Sequence, residues 1–240
     1  MPIISDTDRD RLKREFRKDL KSEITIRLFS QGSSLLTVPG RDCKYCSQTQ
    51  ELMDELAALS PKLHLEVYDF YSDAESREKY GVERIPAIVL GKNGVDGLKF
   101  YGIPLGYEFA AIIEDIKTLS RGVSPLTMDS RKKLRKVNQP VHIQVFVTPT
   151  CGYCPAMARL AHAVAIESPR ITADVIEVEE FPALAQMYAV RGVPKTVMGT
   201  MSPLAGAASQ VQITGVVPEA QFVEKVLEAG VKEASQDAVT

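Results

Sequence analysis

Two short stretches decide how this chain reads: Cys43-Lys44-Tyr45-Cys46 and Cys151-Gly152-Tyr153-Cys154. Their cysteines stand 108 positions apart, and the same shift carries Tyr80-Gly81-Val82-Glu83-Arg84-Ile85-Pro86 onto Tyr188-Ala189-Val190-Arg191-Gly192-Val193-Pro194. In both copies a proline follows the first cysteine of the pair by 43 residues. A period this long marks a duplicated domain, since solenoid repeats recur every ~20–50 residues.

Outward from each pair, apolar residues alternate between strand and helix spacing. Residues 24–29 have a strand period, and residues 46–59 carry Leu52, Met53, Leu56 and Leu59 at helical spacing. Residues 63–70 alternate again, 73–80 read as a short helix and 86–90 as a strand. Lys92-Asn93-Gly94 signals a turn before a strand at 98–101, and an amphipathic helix at 107–119 closes the unit. The second copy repeats the order with strands at 141–147 and 171–178, helices at 155–167 and 181–188, strands at 196–198 and 210–213, and a helix at 219–229. Helices at 8–20, capped by Asp6 or Thr7, and at 128–137 precede the two units. The expected fold is α/β: two tandem units, each a mixed sheet covered by helices. A boundary at Arg121-Gly122-Val123-Ser124-Pro125 divides the chain into residues 1–122 and 123–232, with 233–240 as a frayed tail.

The bulk properties narrow the class. Of 240 residues, 45% are hydrophobic and 25% charged, which excludes disordered and fibrous chains. A net charge of −2 gives no global attraction to nucleic acid or anionic lipid. Arg131-Lys132-Lys133-Leu134-Arg135-Lys136 is the basic run, and it reads as a solvated helix face. The opening Met1-Pro2-Ile3-Ile4-Ser5-Asp6 lacks signal-peptide character, and no apolar run reaches the ~18 residues needed to span a bilayer. The expectation is a soluble cytoplasmic protein without nucleic-acid or membrane partners. In that compartment, paired cysteines point to redox chemistry or metal binding.

A C-x-x-C pair that follows a strand and opens a helix has a specific chemistry. Residues three apart on a first turn meet the Cα separation of about 4.4–6.8 Å that a disulfide requires. The unpaired N–H groups and positive dipole end favour a thiolate at the first position. Cys43 and Cys151 are thus the expected nucleophiles, and Cys46 and Cys154 resolve the mixed disulfide. Arg41 and Lys44 add positive potential beside Cys43 while Asp42 opposes them; Cys151 has no adjacent charge. Pro86 and Pro194 fit poorly inside a strand ladder, and a cis peptide bond explains them. The backbone groups of Ile85 and Val193 would then be open to an extended substrate, in the manner of strand addition. His64, His142 and His162 match no catalytic or ligand spacing.

Strand, C-x-x-C, helix, then Ile-Pro or Val-Pro before a strand: each half resembles a thioredoxin or glutaredoxin unit. Tyr45 and Tyr153, expected to border the substrate groove, are closer to the glutaredoxin style. The whole chain resembles the tandem protein disulfide oxidoreductases of thermophilic archaea and bacteria. Phe100-Tyr101-Gly102-Ile103-Pro104, Gly106-Tyr107-Glu108-Phe109-Ala110-Ala111 and Val145-Phe146-Val147-Thr148-Pro149-Thr150-Cys151 carry that likeness. The resemblance implies a cytoplasmic two-site enzyme that reduces, forms and isomerises protein disulfides. It also implies a C-terminal pair that is often the more active. No cofactor is implied beyond the cysteines themselves, with electrons coming from a thioredoxin-reductase-like flavoprotein. Two departures stand out. Residues 30–42 form an insertion before the first site, and thioredoxin's buried lysine–aspartate pair has no counterpart here, Asp69 and Glu177 being substitute proton acceptors. Three other readings stay open: a chaperone-like holdase, a zinc-binding protein whose pairs bridge across the halves, and an electron-relay module of a peroxide-reducing system.

Overall fold

A computed structural model describes residues 2–32, 43–92, 95–200 and 210–231 of the chain. The Asn93-Gly94 turn, residues 33–42 of the insertion and the 233–240 tail lie outside the described residues. A leading helix, α1 (Asp6–Asp19), precedes the first repeat, which runs β1 (Ile24–Ser30), α2 (Cys46–Ala57), β2 (Leu63–Asp69), α3 (Ala74–Lys79), β3 (Ala87–Lys92), β4 (Val95–Tyr101) and α4 (Tyr107–Arg121). After α5 (Met128–Leu134) the second follows with β5 (Val141–Val147), α6 (Cys154–Glu167), β6 (Ile171–Glu177), α7 (Pro182–Met187), β7 (Lys195–Thr200), β8 (Val211–Thr214) and α8 (Glu219–Gly230). From the cysteines to the third strand the elements match at the 108-residue shift. By contrast, Ile24 and Val141 open their strands 117 residues apart. The difference of nine residues falls between β1 and Cys43.

The helix starts follow from side-chain caps. Ser5, rather than Asp6 or Thr7, caps α1: its Oγ accepts the Asp8 N–H at 3.1 Å, leaving Asp6 and Asp8 in the first turn where the helix dipole favours acids. Asp73 caps α3 through the Ser76 N–H, and Thr127 caps α5 through the Ser130 N–H. α5 stops at Leu134, short of 137, because Lys136 and Val137 turn back in i→i−3 bonds. Its basic face is paired as well as solvated: Arg131 meets Glu167 at 2.7 Å, and Lys133 meets Glu224 at 2.8 Å.

The repeats do not keep separate sheets. One eight-stranded mixed sheet runs β2-β1-β3-β4-β6-β5-β7-β8, the order 2-1-3-4 twice over. The seam is a parallel pairing of β4 with β6, Leu98 opposite Ala173 through Tyr101 opposite Ile176. Only β3 and β7 run against the other strands. One edge of the sheet therefore collects the ends of β1 and β5, which feed the cysteine pairs, and the starts of β3 and β7, which follow the prolines. Strand alternation splits the core between two faces. Ile26, Leu28, Ile88, Leu90, Phe100, Ile143, Val145 and Val175 pack with α1, α2, α4, α6 and α8. Phe29, Val89, Tyr101, Phe146, Ile176 and Val197 form a thinner core with Tyr80 and Val82 from the first repeat and Leu184 and Val190 from the second. No helix among the described residues is long and apolar enough to cross a membrane.

On that thinner face the seam is polar. Asp174 of β6 accepts from Lys99 Nζ at 3.1 Å and meets His142 Nε2 at 2.7 Å, with Asp174 and Lys99 both buried. Burial alone would raise the Asp174 carboxyl, but His142 and Lys99 outweigh it and hold it down at about 2. A depressed native pKa adds stability above the unfolded value and loses it as pH falls. Asp174→Ala leaves Lys99 buried without its partner and is expected to cost ~3–5 kcal/mol in denaturant unfolding at neutral pH. The gap from the parent should close as pH falls from 3.8 toward about 2. An unchanged unfolding midpoint would show that the seam does not need the pair.

Candidate active site

Both cysteine pairs are disulfides with a Cα separation of 5.4 Å. Cys46 and Cys154 occupy the first positions of α2 and α6. In each pair the first cysteine is half-buried and the second buried: Cys46 is 4% exposed and Cys154 0%, while Cys43 and Cys151 are intermediate. The helix-end amide acts at the second site, where the Cys154 N–H donates to Cys151 Sγ at 3.1 Å. At the first, the Gln31 N–H donates to Cys46 Sγ at 3.4 Å. Pro155 follows Cys154 at N1 or N2, where its missing N–H breaks no intrahelical bond.

Ile85–Pro86 and Val193–Pro194 are both cis. Phe146 pairs with Lys195 and Phe29 with Ala87, so each proline immediately precedes a strand that starts opposite the end of the strand leading to its own cysteines. The tyrosines differ: Tyr45 is partly buried with the Lys44 ammonium 4.8 Å from its ring centroid, whereas Tyr153 is 73% exposed. Tyr107, also exposed, comes from the first repeat, yet its ring lies about 4 Å from where a side chain on Gly152 would start.

Asp69 and Glu177 end the corresponding strands β2 and β6 and face different surroundings. Asp69 accepts from the N–H groups of Gly32, Tyr71 and Ser72 and from the Ser72 hydroxyl. Burial raises its carboxyl, but these bonds outweigh burial and hold it below the usual range, as an anion fastening a turn. Glu177 accepts from the N–H groups of Glu179 and Glu180, yet burial still pushes its carboxyl up. Its neighbour Glu180 accepts the Ile103 N–H at 2.6 Å and is pushed up to about 7, chiefly by burial. These two residues lie against Gly102, at a φ of +101° where a side chain would strike both.

Glu108 is a buried acid that sequence reasoning missed. It sits in the first turn of α4 with 0% exposure, and neither carboxylate oxygen has a hydrogen-bond partner. Burial pushes its carboxyl up to about 8; Asp115 adds to the shift and His162 opposes it. The Tyr107 N–H beside it donates to the Pro149 carbonyl at 3.3 Å, so the start of α4 docks onto the loop that leads to Cys151. Acids at 108 and 115 share a helix face with Ile112, Ile116 and Leu119, and that seven-residue spacing on an apolar face was the readable signal.

Each of the two thioredoxin-like repeats carries a disulfide pair at the mouth of a helix. The thioredoxin-domain family matches residues 35–114 and 141–228, and the chain belongs to that family. Among solved structures it is similar to a protein disulfide oxidoreductase from Aeropyrum pernix K1, with a TM-score of 0.79, 28% identity, and coverage of 93% of this chain and 92% of that one. Among curated proteins it is 23% identical over 177 residues to an NADH dehydrogenase of Ferdinandcohnia aciditolerans, covering 73% of this chain and 32% of that protein. It is 25% identical over 162 residues to the F component of the alkyl hydroperoxide reductase of Staphylococcus aureus, covering 66% of this chain and 29% of that protein. The chain thus spans about a third or less of the length of these curated relatives.

A carboxyl that titrates higher in the native state than when unfolded costs stability as pH rises between the two values. For Glu108 that window runs from 4.5 to about 8. The thermal midpoint of Glu108→Gln, relative to the parent, should therefore rise progressively across this window. A difference independent of pH would mean that Glu108 is ionised in the native protein.

Proposed function

We propose that the chain exchanges dithiols for disulfides in protein substrates at both sites. Cys43 and Cys151 attack, and Cys46 and Cys154 resolve. The observation that carries this reading is the repeated asymmetry of exposure: in both pairs the more exposed cysteine comes first and the buried one opens the helix. Starting from the reduced enzyme, the Cys151 thiolate attacks a substrate disulfide, forming a new S–S bond and expelling the second substrate sulfur as a thiolate. Cys154 loses its proton and attacks Cys151 Sγ, closing the internal disulfide and releasing the other substrate thiol. Two electrons pass from the enzyme to the substrate.

Buried Cys154 needs a local proton acceptor on closing and a donor on opening. Glu108 suits both tasks, because a carboxyl titrating at about 8 exchanges its proton near neutrality. Its oxygens have no other partner, whereas those of Asp69 are occupied by a turn. Ile85, Pro86, Val193 and Pro194, with Tyr45 and Tyr153, would border the grooves that receive an extended chain. Electrons for repeated turnover would come from a thioredoxin-reductase-like flavoprotein. The likeness to the Aeropyrum pernix oxidoreductase, nearly complete over both chains, supports protein substrates.

A second reading makes the chain an electron relay in a peroxide-reducing system. It is favoured by the likeness to the F component of alkyl hydroperoxide reductase over 66% of this chain. The two readings differ in what accepts the electrons, a broad set of protein disulfides or one peroxidase.

Trapping separates the roles of the sulfurs. In a chain carrying Cys43→Ala and Cys46→Ala, Cys154→Ser is expected to accumulate mixed disulfides with an oxidised protein such as insulin, and Cys151→Ser to accumulate almost none. Equal trapping by the two variants would show that the roles are misassigned. Trapping by neither, with wild-type pairs also failing to reduce insulin, would favour the relay.

A further inference from the structure

The seam between the repeats also buries a pair that the exchange chemistry does not touch directly. His162 Nδ1 lies 2.6 Å from Asp115 Oδ2, the two residues being 1% and 4% exposed. Asp115 belongs to α4 of the first repeat and His162 to α6, the helix that Cys154 opens. Both helices leave the same sheet edge, α4 after β4 and α6 after β5, and parallel strands send them back side by side in the same direction. Glu108 and Asp115 are seven residues apart, and Cys154 and His162 eight. At 1.5 Å per residue each interval is two turns, about 10–12 Å. The two helices therefore carry matching levels: Glu108 with the cysteine end, Asp115 with His162 two turns behind.

We infer that the Asp115–His162 pair is a positioning pair for the C-terminal site, clamping α4 of the first repeat onto α6 of the second and setting the charge that Glu108 faces. This rests on the proposed role of Glu108. The groups that face Glu108 are Asp115 on its own helix and His162 on α6. His162 itself faces Asp115 on α4, the backbone of Lys99 on β4, and the charge of Asp174 on β6. Burial alone would keep the imidazole neutral, but Asp115, the Lys99 backbone and Asp174 outweigh it and favour the cation. Glu108 thus faces a buried dipole whose negative end acts on it more strongly than its positive end. Removing the imidazole leaves the carboxylate unopposed, and removing the carboxylate leaves the imidazolium unopposed, so the two removals act on Glu108 with opposite signs. A purely structural clamp has no such sign.

The test uses the full chain with Cys43→Ala and Cys46→Ala and reads the Glu108 side-chain carboxyl by carbon NMR across pH. His162→Gln leaves the Asp115 carboxylate unopposed and is expected to raise the Glu108 midpoint by about one pH unit. That is the shift due to a single charge ~10 Å away at an effective dielectric constant of ~20. Asp115→Asn is expected to lower the midpoint, Asp115→Glu to hold it near the parent value, and the double variant to fall between the two singles. Both substitutions are near-isosteric, and a loss of stability common to them does not produce opposite shifts. Midpoints that stay fixed, or that move in the same direction, overturn the inference. If the midpoints move oppositely while the pH profile of thiol exchange at Cys151 ignores them, the pair's action on Glu108 stands and the role of Glu108 in exchange fails.

Discussion

The parallel pairing of β4 with β6 is the contact on which the other features depend. Four residues of each strand meet across it, Leu98 to Tyr101 against Ala173 to Ile176, and they convert two four-stranded repeats into one sheet. Because the seam is parallel, the strands that feed both cysteine pairs point to the same edge. With strands ~4.8 Å apart, the four steps from β1 to β5 set the roots of the two sites ~19 Å apart on that edge. No thiol reaches its counterpart over such a span, so the two pairs cannot exchange with each other directly.

The seam also mixes the repeats chemically. α4 closes the first repeat but packs on α6 of the second, bringing Tyr107 to Gly152 and burying Glu108. On the same edge Glu180, from the second repeat, accepts the Ile103 N–H of the first. A sheet built from separate domains would leave these carboxyls in water, where nothing would raise them toward neutrality. Burial at the seam does so by penalising the charged form, so that a carboxyl in apolar surroundings holds its proton instead of carrying an unpaired charge. Asp174 illustrates the opposite case: Lys99 and His142 stand beside it, and it keeps its charge at full burial.

Much of this was legible from local pattern. The 108-residue repeat, the C-x-x-C pairs at helix starts and the two cis prolines depend on residues close together in sequence, and each left a mark there. Element positions came out within a few residues, the errors lying at caps such as Ser5 and at the frayed end of α5. The seam left no such mark. The 98–101 segment reads as an ordinary last strand, and nothing in it says which neighbour it will pair with. Glu108 left only a faint mark, its seven-residue spacing from Asp115 on an apolar helix face. An acid in the first turn of an amphipathic helix reads as a solvent-facing group favoured by the dipole, until a second helix from 46 residues further along covers it. Asp69 and Glu177 show the limit of repeat symmetry. They hold equivalent positions, but β2 is an outer strand of the sheet and β6 lies at its centre, so one carboxyl is held down by a turn and the other raised by burial.

If the exchange chemistry is right, each cysteine pair is a reversible two-electron couple rather than a fixed cross-link or a metal clasp. Equilibrium redox titration of two variants, each keeping one pair, measures this directly through thiol alkylation and intact mass. Each pair is expected to open and close reversibly as a single step, with a slope of about 30 mV per tenfold change in ratio and a midpoint above about −300 mV, within the range of exchange-active dithiols. A pair that stays oxidised well below that potential, or one that binds zinc when reduced and then resists reoxidation, contradicts it.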